Sequence, residues 1–199
     1  MFDFYPQKTY SRTEVMSRPT PVPAVNGVYF WWFKEIPPGV PTEGCIKQNG
    51  YTLLYVGISP DKKGKPNSRA SLKTRIKTHY SGNAEGSTLR RTLGILLAEE
   101  SHFPLRRVGS GTRTTFTHTG EQWLDCWMEK NAHVHWVEHD EPWVLEENLI
   151  ASLSLPLNIQ GNTHTFKPLL SAMRSRAMAE AKLMAIADES GLRRRLIIK

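Results

Sequence analysis

The chain has 199 residues, 39% hydrophobic and 23% charged, enough to bury a core in one domain of ordinary size with an appendage. It holds no run of 18 or more apolar residues, which excludes a helical membrane span, and two cysteines exclude a disulfide framework. The net charge of +7 is clustered, with Lys62, Lys63, Lys65, Arg69, Lys73, Arg75 and Lys77 close together and further groups at Arg90–Arg91, Arg106–Arg107 and Arg193–Arg195. Such clustering points to a polyanion partner, nucleic acid ahead of a membrane surface, against the alternative of ordinary solvated basic surface.

In chain order, residues 1–24 end in a proline-rich stretch that disfavours helix and reads as an extended arm. The N-terminus lacks the basic-then-apolar order of a secretory signal, so a cytoplasmic protein is expected. "GVYFWWF", 27–33, follows an Asn-Gly turn signal and is predicted as a strand. A Pro/Gly-rich loop leads to a second strand, "YTLLYVGIS", 51–59, antiparallel to the first. The basic segment after it reads as a loop. Leu72, Ile76 and Tyr80 then mark a helix over about 71–80, and Ser87 is placed to cap a second helix striped by Leu89, Leu93, Leu96 and Leu97. A loop or short strand, an amphipathic helix with Trp123 and Trp127, a strand "HVHWVEH" and a helix "PWVLEENLIASLS" follow, and a terminal helix is predicted from Pro168 to Ser190. The fold expected is a small α/β (α+β) domain over 25–165, with a mainly antiparallel sheet flanked by helices, and a helical extension with a basic tail over 166–199.

Side chains alternate along a strand, so Tyr29 and Tyr55 can share one face, with Gly57 leaving room there for a ligand backbone. Arg75 and His79 stand one helical turn apart, about 6 Å along the axis, a pair able to hold a phosphate and move a proton. In the helix after Pro142 the apolar stripe is Leu145, Leu149, Ile150 and Leu153. At about 100° per residue, Glu146 falls about 35° from the stripe's centre and Glu147 about 135° away. Glu147 is therefore a surface residue. Glu146 points inward, where an unpaired carboxylate is costly, so a metal ion, an arginine or a hydrogen-bond network should meet it. His133 and His135, with His139 near, have spacing that can bind zinc; without further ligands, exposed histidines on an edge strand are the better reading.

Gly27-Val28-Tyr29, Tyr55-Val56-Gly57, Arg75-x-x-x-His79, Glu146 in "LEENLI" and Asn158, taken in this order over about 25–160, resemble the GIY-YIG nuclease superfamily. The 25 residues between Tyr29 and Tyr55 exceed the spacing of many members and look like the insertion of some restriction-enzyme members. No separate DNA-binding domain is recognisable.

The resemblance implies a metal-dependent endonuclease hydrolysing phosphodiester bonds of DNA, with one Mg²⁺ or Mn²⁺ on Glu146. Five scattered aspartates also suit one ion better than a two-metal carboxylate cage. By the same resemblance Tyr29 is general base or orients the attacking water, Arg75 neutralises charge on phosphorus, and His79 hydrogen-bonds Tyr29 or relays its proton. Tyr55 positions water or phosphate, and Asn158 holds the geometry. Gly57, Lys62, Lys63, Arg69 and Arg90 are the expected substrate-binding residues. A non-catalytic nucleic-acid-binding module with this fold, and a nuclease acting on RNA, are the alternatives. The sequence leaves the oligomeric state open.

Overall fold

A computed structural model describes residues 5–60 and 70–189. Lys62, Lys63 and Arg69, and the terminal arginines 193–195, lie outside the described residues.

A four-stranded, fully antiparallel sheet forms the centre, in the order β2-β3-β1-β6. These strands are β1 (Gly27–Phe33), β2 (Lys47–Gln48), β3 (Tyr51–Ser59) and β6 (Ala132–Glu138). All seven residues of β1 are buried. That explains its unbroken aromatic run: a central strand covered on both faces does not alternate apolar and polar residues. Gly27 is required by this packing, since a Cβ there would collide with the Val137 carbonyl of β6 and come within 2.8 Å of Leu72. A second, two-stranded sheet pairs β4 (Arg106–Val108) with β5 (Arg113–Thr115).

Helices cover both faces. On one, Tyr29, Trp31, Phe33 and Leu54 pack with residues of α2 (Leu72–Ser81), α3 (Thr88–Leu96) and α5 (Thr117–Asn131). On the other, Val28, Phe30, Trp32, Leu53, Val56 and Ile58 pack with Leu149 and Ile150 of α6 (Pro142–Ser152). Two shorter helices, α1 (Arg12–Met16) and α4 (Ala98–Ser101), and the long α7 (Lys167–Leu183) complete the fold.

The pairing of β1 with β3 shifts between Trp31 and Trp32, where Leu54 is left without an opposite residue. This bulge matters. Tyr51 and Leu53 belong to the α6 side of the sheet, and strict alternation would send Tyr55 and Gly57 there too. The extra residue resets the alternation, so Tyr55 faces the α2 side with Trp31 and Tyr29.

Several expectations are corrected. The N-terminal arm contains α1, stabilised by a capping box in which Ser11 and Glu14 satisfy each other's backbone amides. The terminal helix stops at Leu183 rather than Ser190. Beyond it the Arg106 and Arg107 guanidiniums donate to the carbonyls of Ala185 and Met184, and the Ala187 amide donates to the Arg107 carbonyl. The Arg106–Arg107 pair is thus spent on tying down the chain. On the edge strand β6, His135 is buried: it accepts a hydrogen bond from the Trp32 indole at 2.8 Å and stacks on Phe30. His133 reaches Thr9 and Tyr51. No group of three or more potential metal ligands occurs among the described residues, and no described helix is long and apolar enough to cross a membrane.

Candidate active site

A cavity of about 840 Å³ opens beside β3. Tyr29, Tyr55, Arg75, His79, Glu146 and Asn158, the six residues given chemical roles by the sequence resemblance, all meet at this basin. Five of them line it directly with Gly57, and His79 stands behind Tyr29, its Nε2 at 2.9 Å from the phenol oxygen.

The Tyr29 phenol, 1% exposed, runs back over Gly57. A Cβ on Gly57 would lie 2.6 Å from the Tyr29 hydroxyl and 2.7 Å from the ring carbon bearing it. The glycine therefore makes room for Tyr29's own ring, not for a ligand backbone, and this corrects the expectation for Gly57. It still lines the basin.

His79 is fully buried, and that burial, with Arg75 and Arg90 adding to it, holds its pKa well below the usual imidazole range. The ring is neutral and carries one proton. Its Nδ1 lies 2.7 Å from the Ser87 hydroxyl, which already accepts the Arg90 amide as the cap of α3. A neutral ring donates from one nitrogen and accepts at the other, so with Tyr29 as a phenolate, which can only accept, the imidazole proton sits on Nε2 and Nδ1 accepts from Ser87. Arg75 Nε donates to the same phenol oxygen at 3.4 Å, while its Nη1 donates to the Gly86 carbonyl at 3.1 Å.

Both phenols resist ionisation here. Burial, then the neighbouring Tyr55 phenol, raises the Tyr29 pKa, and Arg75 works in the opposite direction. Burial also raises Tyr55, against Arg75, a hydrogen bond with Thr88 and the Arg174 charge.

Glu146 enters from α6, turned inward as the helical angles require, while Glu147 is exposed and borders the cavity from the solvent side. No hydrogen bond or ion pair reaches the Glu146 carboxyl among the described residues. Burial, assisted by Glu147, pushes its pKa up to about 7. An inward carboxyl with no protein partner suits one divalent ion with a single protein carboxylate, its other positions filled by water or phosphate oxygens.

Asn158 works on the backbone. Beyond Leu53 the outer edge of β3 has no strand partner among the described residues, since β2 pairs only with Tyr51 and Thr52. Asn158 takes that place: its carbonyl oxygen accepts the Val56 amide at 2.9 Å and its amide donates to the Val56 carbonyl at 2.8 Å. It thereby holds β3 between Tyr55 and Gly57.

Arg90 does not belong to the substrate surface. Its side chain has no exposure and is held at 2.7 Å by both Glu121 and Asp125 of α5, with further bonds to the carbonyls of His79 and Tyr80. Arg91 is likewise engaged, with the Ala84 carbonyl and Glu85. Sequence reasoning missed Ser87 and Thr88 as supports for the two phenols, and Arg174 of α7, which lines the basin. For Ser87 the available signal was its cap position one helix after His79.

No curated protein and no solved structure gives a significant match to the chain. The family model described as the GIY-YIG catalytic domain matches residues 27–177, from the first glycine of β1 into α7. The tyrosines, arginine, histidine, glutamate and asparagine that carry the sequence resemblance lie about one cavity inside the matched span, and by that match the chain belongs to the GIY-YIG nuclease family.

Proposed function

We propose that this basin hydrolyses phosphodiester bonds of DNA as an endonuclease, using one Mg²⁺ or Mn²⁺ held by Glu146. The observation that carries the reading is the unpaired, inward Glu146 carboxyl facing two phenols and Arg75 in one cavity. The +7 net charge supports a polyanionic substrate. When bound, the cation would supply positive charge that neutralises the phosphate and favours ionisation of nearby groups.

The protein's own groups divide the remaining work. Tyr29 in its phenolate form takes a proton from the attacking water as the water oxygen bonds to phosphorus. The bond from phosphorus to the leaving sugar oxygen breaks, and solvent protonates that oxygen. Two N–H donors, from His79 and Arg75, converge on the Tyr29 oxygen and stabilise the phenolate against the burial that opposes it. In this arrangement His79 orients and stabilises; its neutral Nε2–H tautomer has no lone pair there to relay the Tyr29 proton. Arg75 also faces the phosphate and meets the charge that develops on it. Tyr55 positions the phosphate or water, and Asn158 holds its strand.

Supercoiled plasmid incubated with Mg²⁺ or Mn²⁺, with and without EDTA, tests the proposal. The wild-type chain should nick or cut it only when the metal is free. Glu146→Ala should abolish cleavage and leave DNA binding largely intact. Undiminished cleavage by Glu146→Ala refutes the role of Glu146, cleavage of RNA alone replaces the substrate, and binding without cleavage supports a non-catalytic module.

A further inference from the structure

The family match and the six matched site residues assign nothing to Arg174. It stands on α7, the helical extension expected from sequence, and its side chain forms part of the cavity wall that also holds Tyr55 and Glu146. It is partly withdrawn from water. Burial, with Arg91 nearby, lowers its pKa from the usual arginine range, and the Tyr55 phenol works in the opposite direction.

The other engaged arginines show what is missing. Arg90 has Glu121 and Asp125, Arg12 has Asp125, and Arg91 has Glu85. On α7 itself Arg176 pairs with Glu180, one turn on. Arg174 has Ser171, Leu170, Ala177 and Met178 at the corresponding positions, and no carboxylate lies within ion-pairing distance among the described residues. A guanidinium that has lost part of its water and gained no acid, in a cavity with a second cation at Arg75, is set to receive an anion. Its placement is fixed by the same loop that carries Asn158. Asn162 donates to the carbonyls of Leu155 and Asn158, Lys167 at the start of α7 donates to the Asn162 carbonyl, and Leu170 anchors the helix in the core.

We propose that Arg174 is a substrate-binding residue that holds a second phosphate of the cleaved strand, next to the one addressed by Arg75. The inference rests on the nuclease reading for the identity of the anion, but not on any catalytic step. α7 is thereby part of the substrate-binding wall, and the strand is gripped at two phosphates across the cavity.

The test separates binding from cleavage. Binding of a short labelled DNA duplex is followed by anisotropy over a salt series, with Glu146→Gln as the parent so that the duplex survives. Arg174→Ala should weaken binding roughly ten- to a hundredfold. It should also lower the magnitude of the salt slope by about one. Arg174→Lys should restore the slope and part of the affinity. In the chain with Glu146 intact, Arg174→Ala should raise KM far more than it lowers kcat. Unchanged affinity and slope in Arg174→Ala, with thermal unfolding as in the parent, overturn the proposal; should Arg174→Ala not fold, Arg174→Gln with the parent's affinity and slope does the same. A parent that binds DNA while the wild type never cleaves it defeats the nuclease reading alone, and the salt slope still decides Arg174. A parent that does not bind DNA overturns both.

Discussion

Replacing Glu146 with glutamine should make the protein more stable at pH 8 and leave it unchanged at pH 4. The folded protein holds this carboxyl at about 7, against an ordinary value of 4.5. Between those values the folded state binds a proton that the unfolded state has released, so stability falls as pH rises through the window. At about 1.36 kcal/mol per pH unit the full difference is about 3.4 kcal/mol. The carboxyl borders an open cavity, and solvent screening reduces this to about 2 kcal/mol. In a chain of this length that corresponds to about 4–8 °C in Tm. Thermal unfolding followed by circular dichroism at pH 4 and pH 8 reads the effect directly. Glu146→Gln should melt higher than wild type at pH 8, and the two should coincide at pH 4. Added Mg²⁺ should raise the wild type alone. A gap of equal size at both pH values, or a less stable Glu146→Gln at pH 8, would refute the reasoning that burial and Glu147 oppose the charged carboxyl.

Three other substitutions probe the supports of the site. Gly57→Ala places a methyl group against the Tyr29 ring, so the ring must move. Denaturant unfolding should show a loss of about 1–3 kcal/mol, and cleavage should fall further than stability accounts for. Arg90→Ala removes the ion-pair partner of the poorly exposed Glu121 and one of the two partners of Asp125, and should cost about 3 kcal/mol in the same assay. DNA affinity of the folded protein should not change; a stable Arg90→Ala with weakened DNA binding would return Arg90 to the substrate surface. Ser87→Ala loses the cap of α3, about 1 kcal/mol, and frees the His79 tautomer, so kcat should drop. Ser87→Thr should recover both, and a normal kcat in Ser87→Ala would remove the tautomer from the mechanism.

The sheet was legible because aromatic and β-branched runs bounded by turn signals leave few alternatives, and α2 and α6 because their apolar stripes have helical spacing. Glu146 could be aimed inward from helical angles alone. The bulge at Leu54 could not be read, since nothing local marks which of several apolar residues is the extra one; yet it decides the face on which Tyr55 stands. Gly57 was read for the right reason, close approach, but the approaching group is Tyr29. Arg90 was misread because its partners lie 31 and 35 residues further on, and charge counted along a chain does not reveal pairing across it. Arg174 carried a faint signal, the lack of an acid one turn away on a helix where Arg176 has one. The capping box at Ser11 and Glu14 was a plain signal for α1, outweighed by the prolines that follow it.

The central claim, one cation on one carboxylate inside the basin, is tested most directly by anomalous diffraction from crystals soaked with Mn²⁺. A single peak beside the Glu146 carboxyl, within the cavity shared with Tyr29 and Tyr55 and lost in Glu146→Gln, is the result expected. Two peaks in the cavity, or one far from Glu146, would contradict it.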